Sequence, residues 1–205
     1  GGRGHQIDLL AAAGNILGND AASGDSRSRS RSAGRLWTMQ NGYCMPTPGS
    51  LSHIAAKLEG DVALASRVRD SIGVGVHWNT SVRDGQGRVT QVFTSALPIA
   101  YARSASLVQW RAFACIALEA AFSATLAVGA ILAAQRGQRC IVYLTCLGGG
   151  AFGNPNEWIA GALDNALDEH RAHPLDVHLV HFMRPAPDAF ARLGQRWSAD
   201  DAQRH

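Results

Sequence analysis

The residues best suited to chemistry are the glycines that end an apolar run. Cys140 to Leu147 is β-rich and nearly free of polar side chains, and it breaks into Gly148-Gly149-Gly150-Ala151-Phe152-Gly153-Asn154. Pro155 follows, and then Trp158, Ile159, Ala162, Leu163, Ala166 and Leu167 recur at helical spacing, so the glycines lie between a strand and a helix N-terminus. Amide hydrogens without Cβ atoms in front of them can close on a phosphate, and the helix dipole favours its negative charge. A tight turn would use the same glycines. Phe152, an aromatic that a turn does not need, adds a ring able to cover a ribose or base. Neither common nucleotide fingerprint is present: the chain has no Gly-x-x-x-x-Gly-Lys-Ser/Thr, and no Gly-x-Gly-x-x-Gly followed by an acid at the right distance.

Positioning such a loop takes a sheet and covering helices, and the pattern along the chain predicts both. A short helical pattern is carried by Ile7, Leu9, Leu10 and Ile16, and residues 18–34, with the run Ser26 to Ser32 of alternating Ser and Arg, are too polar to order themselves and predict a mobile loop. Leu36 to Met39 reads as a strand, Asn41-Gly42 as a turn, and Pro46 to Ser50 as a connection whose serine caps the next helix. Helices are predicted over Leu51 to Leu58 and Val62 to Ser71, and a hairpin over Val74 to Trp78 and Arg88 to Ala96. The long segment Leu107 to Ala134 is then a crossover helix to a central strand, Cys140 to Leu147, buried on both faces and parallel to the strand before it. A helix over Asn156 to His170, a strand over Asp176 to Phe182, a helix from Pro187 to about Trp197 and a fraying tail from Ser198 to His205 complete an α/β layered arrangement. In open sheets of this class ligands bind beyond the C-terminal ends of strands, here Gly148 to Asn154 and Ser95 to Pro98.

Composition narrows the function classes. With 205 residues, 46% of them hydrophobic, the chain can bury the core of one domain spanning 1–205. The net charge of +3 is slight and Lys57 is the only lysine, so no nucleic-acid face is implied. Cys44, Cys115, Cys140 and Cys146 lack metal-site spacing and read as reduced core thiols, with no metal and no cofactor expected. Gln109, Arg111, Glu119, Ser123 and Thr125 interrupt the apolar segment, which therefore reads as a buried helix and not as a membrane span. No signal-peptide pattern is read, and the expected compartment is cytoplasmic, or that of a secreted effector without a classical signal.

Leu147 to Asn154 resembles the phosphate-binding loop of the poly(ADP-ribose) glycohydrolase-type macrodomains, in which a glycine cluster precedes Ala-Phe-Gly. Gln6 to Leu10, Trp37 to Tyr43, Gly75 to Trp78, Thr90 to Pro98 and Leu118 to Ala121 resemble consecutive blocks of the branch that includes bacterial effector-type ADP-ribosyl hydrolases, over about Gly4 to Phe182. The resemblance implies a three-layer macrodomain-like fold, a mixed, mostly parallel sheet flanked by helices. It implies ADP-ribose or an ADP-ribosylated protein as partner and hydrolysis of ADP-ribosyl linkages as activity. Two departures bear on that. Macrodomains of this type have strands and an adenine-contacting loop ahead of the position of Gln6, so the chain reads as the C-terminal portion of a larger domain, a pared-down fold, or one whose sheet a second polypeptide completes. Asn79 stands where the branch has an aspartate, and an amide cannot act as a general base.

Hydrolysis at a ribose C1 passes through an oxocarbenium-like state and needs a carboxylate to direct water. Asp84 is the nearest acid to the hairpin, although Arg83-Asp84-Gly85 is equally a turn. Glu119, inside the apolar helix, must be paired or on its exposed stripe. His77 beside Trp78 is a candidate for the ligand side, or else a satisfied core histidine. His178 and His181 point to opposite faces of one strand and cannot share a metal. Gln91 and Ser95, alternating with Val92 and Phe93 as core residues, are candidates to line the ribose. Three functions fit: an ADP-ribosyl hydrolase, a non-catalytic ADP-ribose reader, and a structural fragment with no ligand.

Overall fold

The computed structural model describes residues 7–19, 35–83, 85, 87–102, 105–181 and 185–202. Asp84, the Ser/Arg run of 26–32 and Phe182 lie outside the described residues. In chain order come α1 (Ala11–Leu17), β1 (Trp37–Gln40), β2 (Tyr43–Pro46), α2 (Ser50–Gly60), α3 (Val62–Ser71), β3 (Gly75–Ser81) and β4 (Arg88–Phe93). They are followed by a 3-10 turn (Ile99–Tyr101), α4 (Leu107–Arg136), β5 (Cys140–Thr145), α5 (Asn156–Glu169), β6 (Leu175–Val180) and α6 (Asp188–Ala202).

α4 is the spine. Ser106 and Gln109 form a capping box at its start, each side chain bonding the other's backbone N–H, and Gly137 closes its end in the left-handed region with its N–H on the Ala133 carbonyl. Its apolar residues face all round, and two cores form on it in succession. Trp110, Phe113, Ala114 and Ala117 pack with α1, the β1–β2 hairpin, α2 and α3, while Leu118, Phe122, Leu126 and Ala133 pack with β5, α5 and α6. Length and composition alone would let this helix cross a bilayer. In the fold two of its faces are used by the two cores, while Leu107, Val108 and Ile131 are exposed. Glu119 accepts a hydrogen bond from Asn165 Nδ2 at 2.9 Å, the pairing its position demanded.

The sheets are smaller than the pattern predicts. Among the described residues there are three two-stranded sheets: β1–β2 and β3–β4, both antiparallel, and β5–β6, parallel. The class is therefore mixed α/β, with a parallel pair joined by α5. Asn41 and Gly42, at φ 52° and 84°, make the tight turn between β1 and β2. β4 takes its hydrogen bonds from β3, so it is not the paired parallel neighbour of β5, and a cavity of about 270 Å³ separates the beginnings of the two strands.

Other expectations are corrected by what covers each residue. β5 ends at Thr145 and is buried on one face only. Cys140, Val142 and Leu144 face the core, whereas Ile141 and Tyr143 are 56% and 68% exposed, because no further layer lies over that side of the β5–β6 pair among the described residues. Phe93, expected in the core, is half exposed. The cap of α2 is Gly49, at φ 75°, a conformation that suits glycine; Ser50 is the first helical residue, and its hydroxyl donates to the Thr47 carbonyl. α6 continues to Ala202 through part of the predicted tail.

Candidate functional site

The loop after β5 is shaped by its glycines. Gly148 lies at φ 78°, and a Cβ on it would stand 2.7 Å from Asn154 Nδ2. At Gly149 a Cβ would stand 2.6 Å from Cys146 Sγ, and Gly153, at φ 72°, has Ala100 Cβ 3.1 Å from where its own would be. Only glycine fits the first two positions. Gly150 differs, since a Cβ there meets nothing within 4 Å.

Asn154, 3% exposed, braces the loop against the chain that follows β4. Its Nδ2 donates to the carbonyls of Leu97 at 2.9 Å and Gly148 at 3.3 Å, while its Oδ1 is buried with no partner. An unpaired buried acceptor costs about 1–3 kcal/mol, so the site calls for a donor. The Ala100 N–H donates to the Phe152 carbonyl, which seats the far side of the loop on the 3-10 turn.

Several loop amides are used internally: Gly149 bonds the Cys146 carbonyl, Gly153 that of Gly150, and Asn154 that of Gly148. Those three are lost to a ligand. The amides of Gly148, Gly150, Ala151 and Phe152 meet no acceptor among the described residues. Three of these are consecutive and stand ahead of the N-terminus of α5, the arrangement that makes an anion-binding concavity.

Aromatic rings flank those amides. Tyr43 of β2, Tyr101 of the 3-10 turn and Phe152 form a closed triangle, with centroids 5.3 to 5.6 Å apart and every pair edge to face. Tyr43 and Tyr101 are 38% and 44% exposed, so the cluster presents ring surface to solvent. Tyr43 also lines a cavity of about 100 Å³ with Ser95, Asp8 and Cys44. Asp8 accepts the Leu10 N–H at 2.9 Å, which orients its carboxylate. Burial pushes the Cys44 thiol well above its ordinary range, and the Asp8 carboxylate adds to the effect. Burial also raises the Cys146 thiol beside Gly149. Both cysteines are therefore neutral thiols at neutral pH and poor nucleophiles.

The structure divides the sequence-predicted residues. Gly148 to Asn154 and Ser95 belong to one region, although the Ser95 hydroxyl donates to the Ala96 carbonyl. Asn79 does not belong to it. Asn79 lines a different cavity, with Trp78, Thr90 and Ile131, Leu132, Gln135 and Arg136 of α4, whereas the Ser95 cavity touches α4 at Ala117, about 20 Å away along the helix. His77 and Gln91 are opposite one another on the β3–β4 hairpin and exposed, with the His77 ring 5.1 Å from Phe93; His77 is thus not a core histidine. The cavities of about 770, 530, 270 and 100 Å³ are lined by other residues. Gly149, Gly150, Ala151 and Gly153 are exposed, so the loop forms a shelf at the surface.

Tyr43, Tyr101 and Asp8 were not singled out by sequence reasoning. They come from three distant segments, and no spacing links them. Another group was missed as well. Ser123 Oγ lies 3.0 Å from Glu169 Oε2 and 3.1 Å from His170 Nε2, and Arg69 donates to the same Glu169 oxygen at 3.3 Å. A carboxylate only accepts, so the serine proton goes to Glu169 and His170 Nε2–H donates to the serine oxygen. His170 Nδ1 is buried without a partner, so no acid orients the imidazole from behind and the group is not a Ser-His-acid triad. Burial is the largest influence on His170 and holds its pKa below the ordinary value of 6.5. His178, on the exposed side of β6, contacts Tyr143, and His181, one residue past the end of β6, contacts Phe190. No group of three His, Cys, Asp or Glu converges on a metal site among the described residues.

The chain matches no family model, and neither the curated proteins nor the solved structures contain a match to it.

Proposed function

We propose that this chain is a macrodomain-like protein that binds ADP-ribose, free or attached to a protein, on the shelf from Gly148 to Asn154. The observation that carries this reading is the row of open amides at Gly150, Ala151 and Phe152 beside the Tyr43–Tyr101–Phe152 triangle. The diphosphate lies on the amides, at the positive end of α5. The adenine or ribose lies against the exposed rings, which offer apolar area with little side-chain entropy to lose. The unpaired Oδ1 of Asn154 is available to a sugar hydroxyl or a water bridging to it.

Hydrolysis of the ADP-ribosyl linkage is the second reading. Asp8 favours it, as an oriented carboxylate in the cavity that Tyr43 shares with Ser95. Its role is to position water for attack at the ribose C1, in place of Asn79. Titration calorimetry with ADP-ribose tests the binding: one site at roughly micromolar affinity, on the order of 8 kcal/mol, is expected. Release of ADP-ribose from a modified arginine peptide tests the hydrolysis. Asp8→Asn is expected to stop release while leaving binding in place; binding without any release by the unmodified chain makes it a reader.

A further inference from the structure

The pairing of β3 with β4 slips at one place. His77 pairs with Gln91 and Thr80 with Val89, so Trp78 and Asn79 together oppose Thr90, which makes a β-bulge. Asn79 stands at φ 55°, a left-handed conformation that asparagine adopts more readily than most residues. Its N–H donates to Thr90 Oγ1 at 3.4 Å, and its carbonyl accepts from Arg88 Nη1 at 3.0 Å, so the irregularity is held in place. In a regular strand Trp78 and Asn79 would point to opposite faces. Here both line one cleft of about 530 Å³, together with Thr90.

The opposite wall is the end of α4, with Ile131, Leu132, Gln135 and Arg136. Small-molecule sites run from about 300 to 1,000 Å³ and combine apolar area with a few convergent polar groups. This cleft has both. Trp78 and Ile131 are exposed large hydrophobic residues that face it from the two sides. The side-chain amides of Asn79 and Gln135 have no hydrogen-bond partner among the described residues. Arg136 has neither a hydrogen bond nor an ion pair among them, and no carboxylate lines the cleft.

A second cavity, of about 270 Å³, shares Thr90, Leu132 and Arg136 with the cleft and adds Arg88, again without an acid. Arg136 lies in the last turn of α4, where the helix end carries about half a negative charge. Its own full charge outweighs that, and Arg88 adds to it. A flat ring suits a wall of indole and aliphatic side chain, and a guanidinium fork takes a carboxylate through two hydrogen bonds. The two amides, each a donor and an acceptor, suit a hydroxyl or amino group on the ring.

We propose that the cleft between the β3–β4 bulge and the end of α4 binds a small aromatic carboxylate bearing a hydroxyl or amino group. The ring lies against Trp78 and Ile131, and the carboxylate lies at Arg136. The cleft shares no residue with the glycine shelf and stands or falls without it.

The probe is 6-hydroxy-2-naphthoate, titrated into the full chain by calorimetry. One saturable site with a dissociation constant below about 100 μM is expected. Naphthalen-2-ol, which lacks the carboxylate, and cyclohexanecarboxylate, which lacks the aromatic ring, are each expected to bind about tenfold more weakly or worse. Trp78→Ala and Arg136→Gln remove exposed side chains on separate elements, so each should keep its circular dichroism spectrum and melting temperature while losing about tenfold in affinity. Arg136→Lys, which keeps the charge and loses the fork, should fall between. Absence of saturable binding below about 1 mM, unchanged affinity in either folded variant, or equal affinity for the probe and one of its two controls overturns the proposal.

Discussion

The glycine loop and the largest of the cavities described sit at opposite ends of one helix and are built from different material. At the start of α5 the shelf is backbone: open amides, glycines at 148 and 149 that exclude a Cβ, and a ring triangle, all at the surface. At its end, about 20 Å away for a helix of 14 residues, the cavity is side chain: leucines from four elements under a mouth of arginine and histidine. The dipole of α5 assists an anion at the first and opposes one at the second, where Arg171 and Arg139 are already paired with Asp168 and Asp176. A backbone site is sensitive to conformation and tolerant of side-chain change where space is open, while a side-chain site is the reverse.

Gly150→Asp exploits that difference most sharply. The position has open space, so the fold should persist with its melting temperature within about 2 °C, yet a carboxylate among the open amides should cut ADP-ribose affinity at least 100-fold, roughly 2.7 kcal/mol. Calorimetry with ADP-ribose reads the loss, and unchanged affinity in the folded variant would mean that these amides are not the anion site. Gly149→Leu is the contrasting variant: with Cys146 Sγ in the way it should lower the melting temperature, so any loss of binding would report on folding.

Removing the brace comes next. Asn154→Ala deletes two hydrogen bonds to carbonyls and is expected to destabilise by about 1–3 kcal/mol, measured by urea unfolding, with ADP-ribose binding lost in proportion to disorder of the shelf.

The smallest expected effect belongs to the cavity end. His170 is held neutral by burial, so its folded pKa lies below 6.5. Above pH 6.5 it is neutral folded or unfolded and contributes no pH dependence. As pH falls from 6.5 through the folded value, the unfolded chain takes up the proton more readily and stability drops. His170→Gln should flatten that part of the stability profile, and an unchanged slope would show that other groups set it.

What the sequence makes legible follows the same division. Gly148 to Asn154 is a contiguous segment between a strand and a helix, and both neighbours form, although the strand ends at Thr145 and not at Leu147. Asn41-Gly42 specifies its own turn. Sheet pairing is different, since nothing within residues 88–96 says that, among the described residues, β4 bonds only β3 while its continuation at Ala96 meets Gly148. The alternation in β5 was hidden because Ile141 and Tyr143 are as apolar as the core residues between them; composition cannot tell a bare face from a covered one. Asn79 drew attention by likeness to an acid in a related pattern, but the hairpin carries it to the far half of α4. Tyr43, Tyr101 and Phe152 meet only after the fold has formed, and so do the leucines of the cavity.

The most direct test of the account is an amide NMR titration with ADP-ribose on the isotopically labelled chain. The prediction is saturable shifts at Gly150, Ala151 and Phe152, larger than those of the internally bonded amides of Gly149 and Gly153. No saturable shift in this loop, or shifts confined to the cavity end of α5, would contradict it.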